Sequence, residues 1–203
     1  MKNSVWHRYL ALGDLMTSGF CPLLHTILDG HARLHGAHLE FSTLASHDSS
    51  IGELVDEQVP MAVRLQADLV SVSAGTRDLI RPEADVDALT GALDRGVRAL
   101  TASGVHVLLA GCIDPQFGFF PAPVRTRTAA FNANVWSIAR DNGCTVLDLW
   151  SMRELQHPAL WTADHAQLSD RGHRLVAARA AHALHVPYAE VQQHGAVQIG
   201  SHQ

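Results

Sequence analysis

The sequence predicts an α/β protein, a three-layer α/β/α sandwich built on a five-stranded parallel sheet. Three observations carry this. Short apolar runs recur at residues 9–12, 39–44, 67–74, 105–110 and 145–149, each ending in turn residues. Segments with helical apolar spacing separate them. Strands alternating with helices at this interval build parallel sheets, because each parallel connection needs a crossover and the crossover helices cover both faces.

Taken in order, the first strand stops abruptly at Gly13-Asp14, and residues 17–35 then space Phe20, Leu23, Leu24, Ile27 and Leu28 as one helical face. Residues 39–44 alternate as a second strand. The polar turn Ser46-His47-Asp48-Ser49-Ser50 follows, and Ser50 with Glu53 three residues later predicts a capping box opening a helix at Ile51. The third strand, residues 67–74, is stopped by Gly75. Val86, Leu89, Leu93, Val97 and Leu100 mark an amphipathic helix over 85–102. After the fourth strand, the Pro/Gly/Phe-rich stretch 114–123 predicts a loop, followed by a helix over 126–142. The fifth strand and a last helix over 172–184 complete the pattern. Right-handed crossovers between five such strands suit a doubly wound, flavodoxin-like sheet. Residues 1–186 read as a single domain and 187–203 as a polar C-terminal tail.

Composition narrows the function classes. With 203 residues, 47% hydrophobic and a net charge of −5, the chain is long enough for a sizeable core and has no basic patch to suggest nucleic acid. No apolar run approaches the ~20 residues of a membrane span, and residues 1–8 lack a signal peptide's apolar core. Cys21, Cys112 and Cys144 are odd in number and widely spaced, which reads as reduced, mostly buried thiols in a cytoplasmic protein. His31, His35 and His38 cluster without a carboxylate or cysteine at ligand spacing. They read as surface residues, and neither a metal nor a cofactor is expected.

The stretch Gly13-Asp14-Leu15-Met16-Thr17-Ser18-Gly19 ends a strand and opens a helix, at the sheet edge where open α/β folds bind ligands. It resembles the first signature block of the SGNH (GDSL-type) hydrolases. Residues 44–48 resemble the second block, Gly75-Thr76-Arg77-Asp78 the third, and the run from Asp164 to Gly172-His173 the closing one. The resemblance spans residues 9–186 and implies the strand order 2-1-3-4-5. It also implies a serine nucleophile, glycine and asparagine oxyanion donors and a histidine base, and at these four positions the chain has Leu15, Asp48, Arg77 and Gln167. His165, two residues before Gln167, is offset from the histidine position. Thr17, Ser18, Ser46, Ser49 and Ser50 are nearby hydroxyls, read as structural caps.

A hydroxyl nucleophile needs a base within reach, and the oxyanion needs preorganised donors. Losing one donor costs about 10²–10³ in rate, so the combined loss excludes serine-dependent ester hydrolysis. What stands in its place is an apolar Leu15 and a complementary pair, Asp48 and Arg77, expected to meet in one partly buried cleft. Asp48 and Arg77 are the candidate catalytic residues; Asp14, Leu15, Asp164, His165 and Gln167 are candidate substrate-binding residues. An arginine fork suits a carboxylate- or carbonyl-bearing small molecule. Three readings follow: a repurposed acid–base enzyme of cyclase, isomerase, lyase or dehydratase type; an inactive pseudoenzyme that binds a small molecule or partner; and a hydrolase using water activated by Asp48.

Overall fold

A computed structural model describes residues 5–117, 122–164 and 167–187. Five strands, β1 (Arg8–Gly13), β2 (Glu40–Thr43), β3 (Leu69–Ser73), β4 (His106–Ala110) and β5 (Thr145–Leu147), pair in parallel in the order β2-β1-β3-β4-β5. This is the expected flavodoxin-like sandwich. The tail residues 188–203 and His165 lie outside the described residues.

Period-two alternation in β1 assigns its side chains to two cores. Tyr9 and Ala11 pack with Phe20, Leu24 and Leu28 of α1 (Leu15–Leu34) and Val176 of α7 (Asp170–Ala183). Leu10 and Leu12 pack on the opposite face, with Ile51, Leu93, Val97 and Phe131. That face is covered by α2 (Ile51–Glu53), the π-turn Leu54–Gln58, α3 (Val59–Leu65), α4 (Thr76–Ile80), α5 (Val86–Ala102) and α6 (Ala122–Asn142). Full burial of each Leu or Phe stabilises the fold by roughly 1.5–3 kcal/mol. Inside the sheet, the Tyr9 hydroxyl is satisfied by Ser71 Oγ at 2.8 Å.

Element boundaries shift where a cap decides them. α1 begins at Leu15 rather than residue 17 because Asp14 caps it, accepting from Met16 N at 3.1 Å. The predicted capping box is present: Glu53 N donates to Ser50 Oγ (3.2 Å) and Ser50 N to Glu53 Oε2 (2.7 Å). Ser169 caps α7, which therefore starts at Asp170. The expected loop 114–123 is shorter than read: a 3₁₀ turn spans Pro115–Phe117, and α6 starts at Ala122 with Pro123 in its first turn, where a missing N–H costs nothing.

One expectation is overturned. His31 is buried, not a surface residue, because it lies on the α1 face that also buries Leu24, Leu28 and Ala32. Burial lowers its pKa, and its ring meets that of His35 edge-on at 4.7 Å. His38 is exposed and bonds Asp29 Oδ1 at 2.8 Å.

Candidate functional site

The C-terminal ends of β1, β3 and β4 open onto one cleft of about 410 Å³. The β1–α1 turn forms its floor. Gly13 adopts φ +129°, and a Cβ there would fall 1.8 Å from Ser73 O, so only glycine lets the turn approach β3 this closely. Asp14 N then donates to Ser73 O at 3.1 Å, which brings Asp14 and Leu15 to the cleft. Gln58 holds the turn from the other side, accepting from Gly13 N at 2.7 Å and donating to Gly13 O at 3.2 Å.

Leu15, Asp48, Arg77 and Gln167 all line this cleft, as expected from the signature positions. Arg77 Nη1 lies 3.8 Å from Asp48 Oδ1, but the side chains are 44% and 76% exposed. The expectation of a partly buried pair is therefore corrected: Asp48 sits on the loop after β2, at the rim, where water screens the pair. Such ion pairs contribute about 0–1 kcal/mol. His47 Nδ1 shares the same carboxylate oxygen at 3.3 Å. Gln167 is exposed at the mouth, its carbonyl accepting from Thr162 N at 2.8 Å. Asp164, expected to bind substrate, does not line the cleft; its Oδ1 accepts from Thr162 Oγ1 at 2.6 Å and braces the turn.

Asp14 is the deep carboxylate, 7% exposed. Desolvation lifts its pKa to about 6; the negative charge of Asp78 adds, and backbone amides of Met16 and Asp14 itself oppose. Asp78, also buried, accepts from Ile51 N at 3.0 Å.

Three chemistry-bearing side chains in the cleft escaped sequence reasoning. Cys112 follows β4, and burial pushes its thiol up to about 12, so it is not a nucleophile at neutral pH. Asp114 is held by the Arg125 fork, Nε–Oδ1 2.8 Å and Nη2–Oδ2 2.9 Å, with the guanidinium 5.4 Å from the Trp150 ring centroid. His173 has its pKa lowered by burial, and its Nδ1 is buried with no hydrogen-bond partner among the described residues. The signals were available: Cys112 and Asp114 follow a strand end, the edge that binds ligands, and His173 stands in the closing block beside Gly172.

Four of the five nearby hydroxyls are structurally committed, Ser50 through its capping box. Thr17 Oγ1 donates to Leu12 O (3.1 Å), Ser18 Oγ to Leu15 O (2.8 Å), and Ser49 Oγ accepts from Gln58 Nε2 (2.8 Å). Among the described residues no group of three His, Cys, Asp or Glu side chains is placed to hold a metal, and no helix is long and apolar enough to cross a membrane. The arrangement can enclose a small, mainly apolar molecule against Leu15, Met16, Ile113 and Trp161, beside the buried carboxyl groups of Asp14 and of the arginine-paired Asp114.

Comparison with solved structures returns the same architecture. An acetylxylan esterase, Axe2 from Geobacillus stearothermophilus, superposes with a TM-score of 0.79 at 15% identity, covering 91% of this chain and 96% of that one. LAE5, an α/β hydrolase from the metagenome of Lake Arreo, Spain, gives 0.77 at 20% identity over 90% and 97%. The esterase EstA from Pseudoalteromonas sp. gives 0.70 at 14% over 88% and 97%. No curated protein sequence matches the chain. The model of the GDSL-like lipase/acylhydrolase family matches residues 11–175, from β1 through the first turns of α7 and thus across every strand end that builds the cleft, and the chain belongs to that family.

Proposed function

We propose that this member of the GDSL-like lipase/acylhydrolase family binds a small, mainly apolar molecule non-covalently in the strand-end cleft and does not act as a serine esterase. One observation carries the reading: the cleft is open while Leu15 occupies the strand-end position at which the family resemblance expects the nucleophile. Leucine supplies packing surface there and no chemistry. Arg77, Asp48 and Gln167 at the rim supply polar contacts for a protruding carbonyl or carboxylate.

A second reading is favoured by Asp14. A carboxyl group with a pKa near 6 inside a small-molecule cleft is suited to proton transfer near neutral pH. On this reading the bound molecule is isomerised, cyclised or subjected to elimination, with Asp14 moving the proton and Arg77 orienting an oxygen. Asp48 is poorly placed for such work, or for activating water, because it stands exposed at the rim.

The test pairs a chemical assay with a binding assay. The protein is expected not to turn over p-nitrophenyl acetate above background and not to be labelled by a fluorophosphonate. A small-molecule thermal-shift screen is expected to yield stabilisers whose effect disappears in Leu15→Trp, which fills the cleft. Stoichiometric fluorophosphonate labelling of a serine, with turnover lost when that serine is replaced, would overturn the reading.

A further inference from the structure

Among the described residues, the charges that line the cleft do not cancel. Asp48 is paired with Arg77, and Asp114 is neutralised by the bidentate fork of Arg125. His173 is held neutral by burial. Asp14 remains, and among the described residues no side-chain cation or donor is bonded to it; its hydrogen bonds come from backbone amides. A buried carboxylate without a counter-charge is costly in apolar surroundings, and this one faces the cavity rather than the core.

We infer that the cleft is built for an organic cation, a compact apolar amine whose ammonium group sits against the Asp14 carboxylate while its apolar body packs on Leu15, Met16 and Trp161. The inference rests on the non-covalent binding reading above. It makes Asp14, not the rim, the charge that selects the ligand: Arg125 is held by Asp114, and Arg77 beside Asp48 is left as a rim contact for a protruding oxygen. An incoming anion meets Asp14, with Asp78 behind it on α4. An incoming cation meets an attractive charge in a low-dielectric site, where the interaction is far stronger than in water.

Protonation of Asp14 removes the attraction, so binding weakens as pH falls through about 6. Several other charged or titratable groups line the same space: Arg77 from α4, His173 from α7, Cys112 and Asp114 after β4, and His47 and Asp48 from the loop after β2, while the negative charge of Asp78 on α4 acts on Asp14. Protonation of His173 at low pH repels a cation in the same direction, so the Asp14 contribution must be isolated with a variant. Asp14→Asn does this cleanly, because asparagine caps a helix as well as aspartate and the α1 start is retained.

The experiment compares 4-phenylbutylamine, 4-phenylbutanol and 4-phenylbutanoate by calorimetry at pH 7.5 and pH 5. The amine is expected to bind at least about tenfold more tightly than the alcohol at pH 7.5, and its advantage to fall about tenfold at pH 5. In Asp14→Asn the amine's advantage over the alcohol should vanish. If all three bind alike, and Leu15→Trp blocks all of them, the cation inference fails while the binding cleft stands. If the butanoate binds best, the arginine rim governs recognition and the inference is overturned. If none binds at millimolar concentration, the inference fails, and the fluorophosphonate assay decides the underlying reading separately.

Discussion

Gln58 grips both backbone polar groups of Gly13, accepting from its N–H at 2.7 Å and donating to its carbonyl at 3.2 Å. The same Nε2 donates to Ser49 Oγ at 2.8 Å. One buried amide therefore ties the turn that carries Asp14 to the loop that carries Asp48. Gln58 closes the π-turn Leu54–Gln58, a helical irregularity often found beside functional sites.

Gln58→Ala strands Gly13 N–H and Ser49 Oγ and leaves a cavity. Urea unfolding should show a loss of roughly 2–4 kcal/mol. A loss below about 1 kcal/mol would mean that β3 alone holds the turn.

Asp14 should make the protein less stable at neutral pH. Its folded-state pKa of about 6 lies above its ordinary value of 3.8, so the folded state binds the proton more tightly. This contribution is fully present below about pH 4 and is lost as pH rises to 6 and above. Asp14→Asn is therefore expected to be more stable than wild type at pH 7.5, by up to roughly 3 kcal/mol, with the difference closing near pH 4. Equal stability at both pH values would show that the carboxylate is solvated.

Gly19 makes room for His173. A Cβ on Gly19 would fall 2.0 Å from His173 Cε1. Helix propensity alone favours Gly19→Ala by about 1 kcal/mol, but the clash with a packed ring should outweigh it and destabilise by about 1–3 kcal/mol. In a His173→Ala background the same change should become stabilising. The double-mutant cycle by thermal unfolding measures the coupling directly.

Arg77→Ala should change stability by less than about 1 kcal/mol, because its ion pair with Asp48 is long and solvent-screened. The small effect should shrink further in 1 M salt. A loss above 2 kcal/mol would place the pair in a drier setting than its exposure indicates.

The amino-acid sequence by itself determined the sheet, its parallel sense and the side chains that stand at the four signature positions. Strand and helix periods are local properties, and the resemblance to the family's four signature blocks is what singles out Leu15, Asp48, Arg77 and Gln167. The Ser50–Glu53 cap was legible for the same reason, being a contact three residues apart. Depth was not legible, because it depends on which distant elements pack over a residue. Asp48 and Asp14 are both carboxylates after strand ends, yet Asp48 stands in water on its loop while α1 and β3 enclose Asp14. His31 is buried because its helix face meets the core, and Asp114 is neutralised by an arginine 11 residues further on, at the start of α6. Tertiary packing alone decided which charge in the cleft was left without a partner, since desolvation and charge pairing depend on three-dimensional proximity rather than on order along the chain.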